Sequence, residues 1–219
     1  MSAQSENFFC PKQEFQSITH HMPRLIGIAG KAGAGKDTLA AAFIEYAKYS
    51  QYSLAGPLKE ACASLFGFSV DNYCSREYKE QVIPWCGQSP RTIAQYIGTD
   101  MVRKNFGEDF WIHRLLQEFM LDYESAWKVQ AVVSDIRFQN EAEWVLLCGG
   151  TLVIVTRPQD ECQSTGIPGH SSEADLDLDS LRQISRGKII QLTNGGTLRD
   201  YMKQCKQLAI IRNNTTPLI

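Results

Sequence analysis

Three glycines and a lysine at fixed spacing offer the clearest chemistry in the chain: Gly30-Lys31-Ala32-Gly33-Ala34-Gly35-Lys36. Glycines so placed let successive backbone N–H groups turn inward. A helix that starts at the lysine adds the partial positive charge of its N-terminus, so the stretch can cradle the oxygens of a phosphate chain. Gly30, four residues and then Gly35-Lys36 match the phosphate-binding P-loop, in which Lys36 lies along the β- and γ-phosphates. One position departs from that pattern. The Ser or Thr that ordinarily follows the lysine and ligates Mg²⁺ is Asp37, and a hydroxyl comes one place later at Thr38. Either can hold the metal, directly or through water. A dinucleotide fingerprint fits less well, because no third glycine follows at the spacing G-x-G-x-x-G requires.

Other residues with chemical potential lie far along the chain. Asp135 ends the apolar run Val129-Gln130-Ala131-Val132-Val133-Ser134. A strand tipped by a carboxylate is the usual second half of a P-loop site, where the acid binds Mg²⁺ through water or accepts a proton. Lys59 follows Gly56-Pro57, a helix-start signal, and so projects near the ligand edge of an open sheet, unless it is an ordinary surface lysine. Arg91, Arg103 and Trp111 stand out in a helical region; surface ion pairing is the competing account for the arginines and core packing for the tryptophan. His170 reads as a loop histidine rather than a base.

The elements that must position these groups alternate as strand and helix. Leu25-Ile26-Gly27-Ile28 predicts a strand before the loop, and Leu39-Ala40-Ala41-Ala42-Phe43-Ile44 a helix after it. Tyr52-Ser53-Leu54 is a short strand candidate, followed by a helix from Pro57. Residues 67–90 are irregular and polar and read as an insertion able to close over a substrate. Ser89 opens a helix through Ile97 that is expected to stop at Gly98-Thr99-Asp100, with a second helix over Met101 to Phe106 and a third from Ile112 to about Tyr123. After Asp135 a helix runs to Leu147 and stops at Gly149-Gly150. Thr151 to Thr156 and Lys188 to Leu192 complete a parallel sheet, and Thr197 caps a last helix to about Ala209. Residues 1–22 read as a flexible extension, 23–210 as one domain and 211–219 as a tail. Within the domain, about 60–125 is a helical insertion and about 158–180 a lid. The expected class is α/β, a P-loop NTPase-type parallel sheet with helices on both faces.

Size and charge narrow the function. The chain has 219 residues, 43% hydrophobic and 21% charged, with a formal net charge of −2. That suits a single globular domain and offers no basic field for a nucleic-acid polymer. Seven cysteines are widely spaced with no C-x-x-C pair, which suits reduced thiols in a cytoplasmic protein. No apolar run approaches the ~20 residues of a membrane span.

Taken in order, several segments resemble the deoxynucleoside monophosphate kinases of tailed bacteriophages. They are Gly35-Lys36-Asp37-Thr38, Leu54-Ala55-Gly56-Pro57-Leu58-Lys59, Ile97-Gly98-Thr99-Asp100 with Phe106 and Phe110-Trp111, Ser134-Asp135-Ile136-Arg137 with Glu141, Val155-Thr156-Arg157-Pro158, and Thr193-Asn194-Gly195. The resemblance spans about residues 24–205 and accounts for Asp37, since the family's loop reads Gly-Lys-Asp-Thr. Animal-type phosphomevalonate kinases look similar at the loop, at Gly-Pro-Leu-Lys-Glu and at the Asp-tipped strand, but are not expected to carry the Ile97-to-Trp111 block. A P-loop binding or switch protein is the alternative from another class.

The resemblance implies transfer of the γ-phosphoryl of ATP to the 5′-phosphate of a deoxynucleoside monophosphate in the cytoplasm of an infected bacterial host, with Mg²⁺ as cofactor and small molecules as partners. It implies that residues 30–38 and Asn194 hold ATP, Asn194 beside the adenine. Asp37, Thr38 and Asp135 are the metal candidates, and Lys36, Asp135, Arg137 and Arg157 act on the reacting phosphates, with Arg157 on the lid side. Lys59, Arg91, Arg103 and Arg137 are candidates for the acceptor phosphate. Trp111 stacks on the base, Gly98 and Thr99 shape the pocket wall, and Ile136 and Glu141 complete the monophosphate site. A homodimer is compatible with the sequence.

Overall fold

The structure, a computed structural model, describes residues 24–123, 130–158, 175–184 and 188–214. The expected extension and most of the expected lid, including His170, lie outside the described residues.

Five strands form one sheet: β1 (Leu25–Ala29), β2 (Ser50–Tyr52), β3 (Ala131–Ile136), β4 (Thr151–Thr156) and β5 (Lys188–Thr193). Their order is β2-β3-β1-β4-β5, and every neighbouring pair is parallel. β1, β3 and β4 are almost continuously buried, which is what helices on both faces of a parallel sheet demand of its central strands. On one face α1 (Lys36–Ala47) and a long C-terminal helix (Leu198–Asn214) pack around Phe43, Ile28 and Tyr201. On the other, α2 (Gly56–Phe66), a helix over Phe110–Tyr123 and one over Gln139–Leu147 enclose Leu115, Phe119 and Trp144. Among the described residues no helix is long and apolar enough to cross a membrane, and Cys62, Cys74, Cys86, Cys148 and Cys205 are free thiols.

Several boundaries differ from the sequence reading. β2 precedes the expected Tyr52-Ser53-Leu54, because Ser53, Leu54 and Ala55 give their polar groups to Asp135 rather than to a neighbouring strand. The polar stretch 67–90 contains a 3₁₀ turn (Val70–Tyr73) and a short helix, α3 (Arg76–Glu80), capped by Ser75. The helix opened by Ser89 does not stop at Gly98. α4 (Pro90–Gln95) passes directly into wider π-type turns over Tyr96–Arg103 and ends with Lys104–Phe106. The helix break expected of Gly98 fails because the glycine serves close packing instead: a Cβ there would lie 2.4 Å from Leu58 Cδ2. The last helix runs past Ala209 to Asn214.

Candidate functional site

The loop after β1 leaves the middle of the sheet at its carboxyl edge, with β3 on one side and β4 on the other, the position where open α/β sheets bind ligands. Gly30 turns sharply with φ +147°, and a side chain there would meet Val155 O at 2.3 Å. Three consecutive carbonyls of the loop are then pinned from outside. Arg157 donates to Gly33 O at 3.3 Å, Asn194 Nδ2 to Ala34 O at 3.0 Å and Tyr201 Oη to Gly35 O at 3.0 Å. Drawing those oxygens outward fixes the shape of the loop, which Ala34 N–H closes by donating to Lys31 O at 3.2 Å. Lys36 Nζ lies against the loop, donating to Gly30 O and Lys31 O at 2.6 and 2.9 Å. Lys31 reaches out to Asp175, 3.3 Å away, through an exposed pair.

Beside this loop a cavity is lined by Lys59, Lys79, Arg91, Arg103 and Arg137, by Gly98, Thr99 and Trp111, and by Asp135 and Glu141. Residues separated by more than 80 positions therefore share one hollow. Trp111 is only 9% exposed, and its indole N–H donates to Gly98 O at 3.0 Å, so the polar edge is used internally and the apolar ring is what it offers the cavity. Arg91 makes a 2.6 Å ion pair with Glu80 that ties α4 to α3.

Arg103 serves as a brace. It donates to Glu108 O at 2.6 Å and Asn140 Oδ1 at 3.0 Å, and its guanidinium lies 3.8 Å from the centre of the Phe138 ring. Glu141, almost fully buried, accepts from the backbone N–H groups of Arg137 and Phe138 at 2.8 and 3.0 Å, and its other oxygen is 3.6 Å from Arg103. Burial pushes its carboxyl up to about 7, with the charge of Asp135 adding to the rise and the two N–H groups and Arg103 opposing it.

Asp135 lines the cavity and also supports the chain around it. Its carboxylate accepts from Ser53 Oγ at 2.7 Å, Leu54 N at 3.0 Å and Ala55 N at 2.9 Å, fixing the turn from which α2 and Lys59 set out. Among the described residues there is no cluster of three or more His, Cys, Asp or Glu side chains able to cage an ion. Mg²⁺ needs no such cage, because it keeps several waters and takes one or two protein oxygens plus substrate phosphates. Exposed Asp37 and half-buried Thr38, on the first turn of α1, suit that mode.

Not every expected residue comes to the site. Ile136 is fully buried in the core and absent from the cavity wall, because alternation along β3 sends it to the face opposite a cavity-directed neighbour. Asn194 spends an amide hydrogen on the P-loop. Lys79, Tyr73, Gln95 and Phe138 line the cavity without having been singled out from sequence. Lys79 stood in a stretch with no periodicity, where a lysine on a ligand and a lysine in water look alike.

Residues 77–204 match the deoxynucleotide monophosphate kinase family. The chain is 34% identical over 189 residues to a protein of Acanthamoeba polyphaga mimivirus provisionally designated a deoxynucleotide monophosphate kinase, covering 82% of this chain and 93% of that one. It is 23% identical over 246 residues to the deoxynucleotide monophosphate kinase of Enterobacteria phage T4, covering 84% and 97%. Among solved structures, a dephospho-CoA kinase from Campylobacter jejuni matches with a TM-score of 0.46 at 14% identity, over 87% of this chain and 98% of that one. A glycine-rich loop at the carboxyl edge of the sheet, a separate cationic hollow and this extent of sequence agreement lead to one assignment: the chain belongs to the deoxynucleotide monophosphate kinase family.

Proposed function

We propose that the protein transfers the γ-phosphoryl group of ATP to the 5′-phosphate of a deoxynucleoside monophosphate, giving the diphosphate and ADP. The observation that supports this reading is the cationic, tryptophan-walled cavity at the end of β3, the strand that pairs with β1, since such a cavity is suited to a second anion. A protein that only bound or hydrolysed one nucleotide would have no use for it.

The acceptor is already an anion, so no strong base is required. The task is to hold two polyanions in line, offset their repulsion and keep water out. In this reading the loop amides and Lys36 hold the donor phosphates, with Arg157 above Gly33. Lys59, Arg91 and Arg137 collect the acceptor phosphate, and Trp111 meets its base by stacking, with Gly98 and Thr99 shaping the wall. The helices between about 60 and 125 serve as the monophosphate-binding part of the domain. Asp37 and Thr38 would hold Mg²⁺, and Asp135 would reach it through water while keeping its grip on Ser53–Ala55. The ion's contribution is to neutralise charge that builds on the phosphate oxygens. Both substrates belong to the cytoplasmic nucleotide pool.

The test is to mix the full chain with Mg·ATP and each of the four deoxynucleoside monophosphates and follow ADP. Acceptor-dependent ADP is expected with at least one of them; none with any of the four sinks the proposal. Turnover with phosphomevalonate alone would reassign the cavity to that acceptor. Hydrolysis that no acceptor accelerates would make the protein a nucleotide-binding switch.

A further inference from the structure

Lys79, carried by the stretch 67–90, lines the cavity, and its surroundings are specific. It sits on α3, whose start is fixed by the Ser75 cap and whose end is fixed by the 2.6 Å ion pair of Glu80 with Arg91. Two anchors within one turn and a half give the lysine a defined place on the cavity wall. The charges of Arg91 and Arg137 in the cavity wall, of Glu80 on its own helix and of Asp37 on the P-loop helix all act on it. Among the described residues no hydrogen bond or salt bridge engages its ammonium group.

We propose that Lys79 is a catalytic residue that spans the two substrates, its ammonium contacting the phosphoryl group in transit between the triphosphate on the P-loop and the monophosphate in the cavity. The inference rests on the kinase reading above and deepens it. In the step, an oxygen of the acceptor phosphate forms a bond to the γ-phosphorus. The bond from that phosphorus to the β–γ bridging oxygen breaks, and its electron pair leaves with ADP. Lys79 keeps its proton throughout and supplies positive charge where the equatorial oxygens carry negative charge. Lys36 lies along the loop and Arg91 is paired with Glu80, whereas Lys79 reaches the cavity wall from α3 and feels the charge of Asp37 on the P-loop helix, so it is a cation available to both substrates.

Burial first, and then Arg91 and Arg137, lower the pKa of Lys79, while Glu80 and Asp37 oppose the shift. A polyanion arriving between loop and cavity reverses that repulsion.

Steady-state kinetics on Lys79→Met, Lys79→Gln and Lys79→Arg test the assignment, using whichever monophosphate the wild type accepts. The Met and Gln variants remove the charge and keep much of the stem, and thermal melts check that they fold. Both are expected to lose about 100-fold in kcat with the KM of each substrate within about threefold of wild type, and Lys79→Arg to recover to within about tenfold. A folded Met or Gln variant with kcat within threefold of wild type overturns the role. So does a loss expressed only as a higher KM for one substrate, which would make Lys79 an ordinary binding contact. A wild-type protein inactive with all four monophosphates would instead remove the kinase reading and this inference with it.

Discussion

At the scale of single residues, the site is built from side chains whose exposed chemistry is set by what holds their other end. Trp111 gives its N–H to Gly98 and Asp135 gives its carboxylate to the turn before α2. Glu141 gives one oxygen to two backbone N–H groups and carries the clearest pH signature. Its carboxyl is pushed up to about 7, above the ~4.3 of an exposed glutamate, so between those values the folded chain holds a proton that the unfolded chain has lost. Folding stability therefore falls as pH rises through that window and levels off above it. Glu141→Gln keeps an acceptor oxygen and removes the titration. Urea unfolding at pH 5 and pH 8 should show wild type losing ~2 kcal/mol relative to the variant; a constant difference would mean that the carboxylate is ionised in the fold throughout. The importance of position 141 was legible in the sequence through its place after Asp135-Ile136-Arg137, but burial was not. Ile136 shows the opposite failure: the family resemblance put it at the monophosphate site, and strand alternation turns it into the core.

At the scale of elements, local patterns were read well and distant supports were not. The glycine-rich loop between β1 and α1 announces itself because its conformation depends on residues within one stretch. The pins on its carbonyls come from residues 124, 160 and 166 positions away, so nothing near the loop hints at them. The helix through Gly98 was divided for a similar reason: glycine is a fair stop signal in isolation, yet here it makes room for Leu58 on a helix far away in sequence. The pins make a prediction about the C-terminal helix, which carries Tyr201. Tyr201→Phe removes the bond to Gly35 O while keeping the buried ring, at a cost of about 1 kcal/mol to the loop's ordered form. The KM for ATP should rise about fivefold, with the KM for the monophosphate unchanged. Equal changes in both would place Tyr201 in general stability, and no change would show that the loop holds its shape without the helix.

At the scale of the whole molecule, the sheet order makes β1 and β3 neighbours, so the glycine-rich loop that follows β1 and the cavity lined by Asp135 and Arg137 at the end of β3 share the carboxyl edge of the sheet. That arrangement was legible from the alternation of strands and helices and from the carboxylate ending β3, and Lys59, Arg91 and Trp111 pointed to three of the helices that wall the cavity; that α3 would add Lys79 was not legible, since residues 67–90 carry no periodicity. If the two sites are adjacent and independent, a single compound should be able to fill both. Adenosine joined through its 5′ oxygen by five phosphates to the 5′ oxygen of a deoxynucleoside is such a compound. Four phosphates equal the sum of those on the two substrates, and a fifth allows for the gap between reacting atoms that are in line but not yet bonded. Tethering makes the second binding event intramolecular, at an effective concentration of roughly millimolar, so affinity should exceed that of either ATP or the monophosphate by ~10²-fold or more. Calorimetric titration of the full chain with the linked compound should give one site per chain, and prior saturation with either substrate should weaken it. Binding no tighter than ATP, or unaffected by the monophosphate, would mean that the cavity and the loop do not open onto each other.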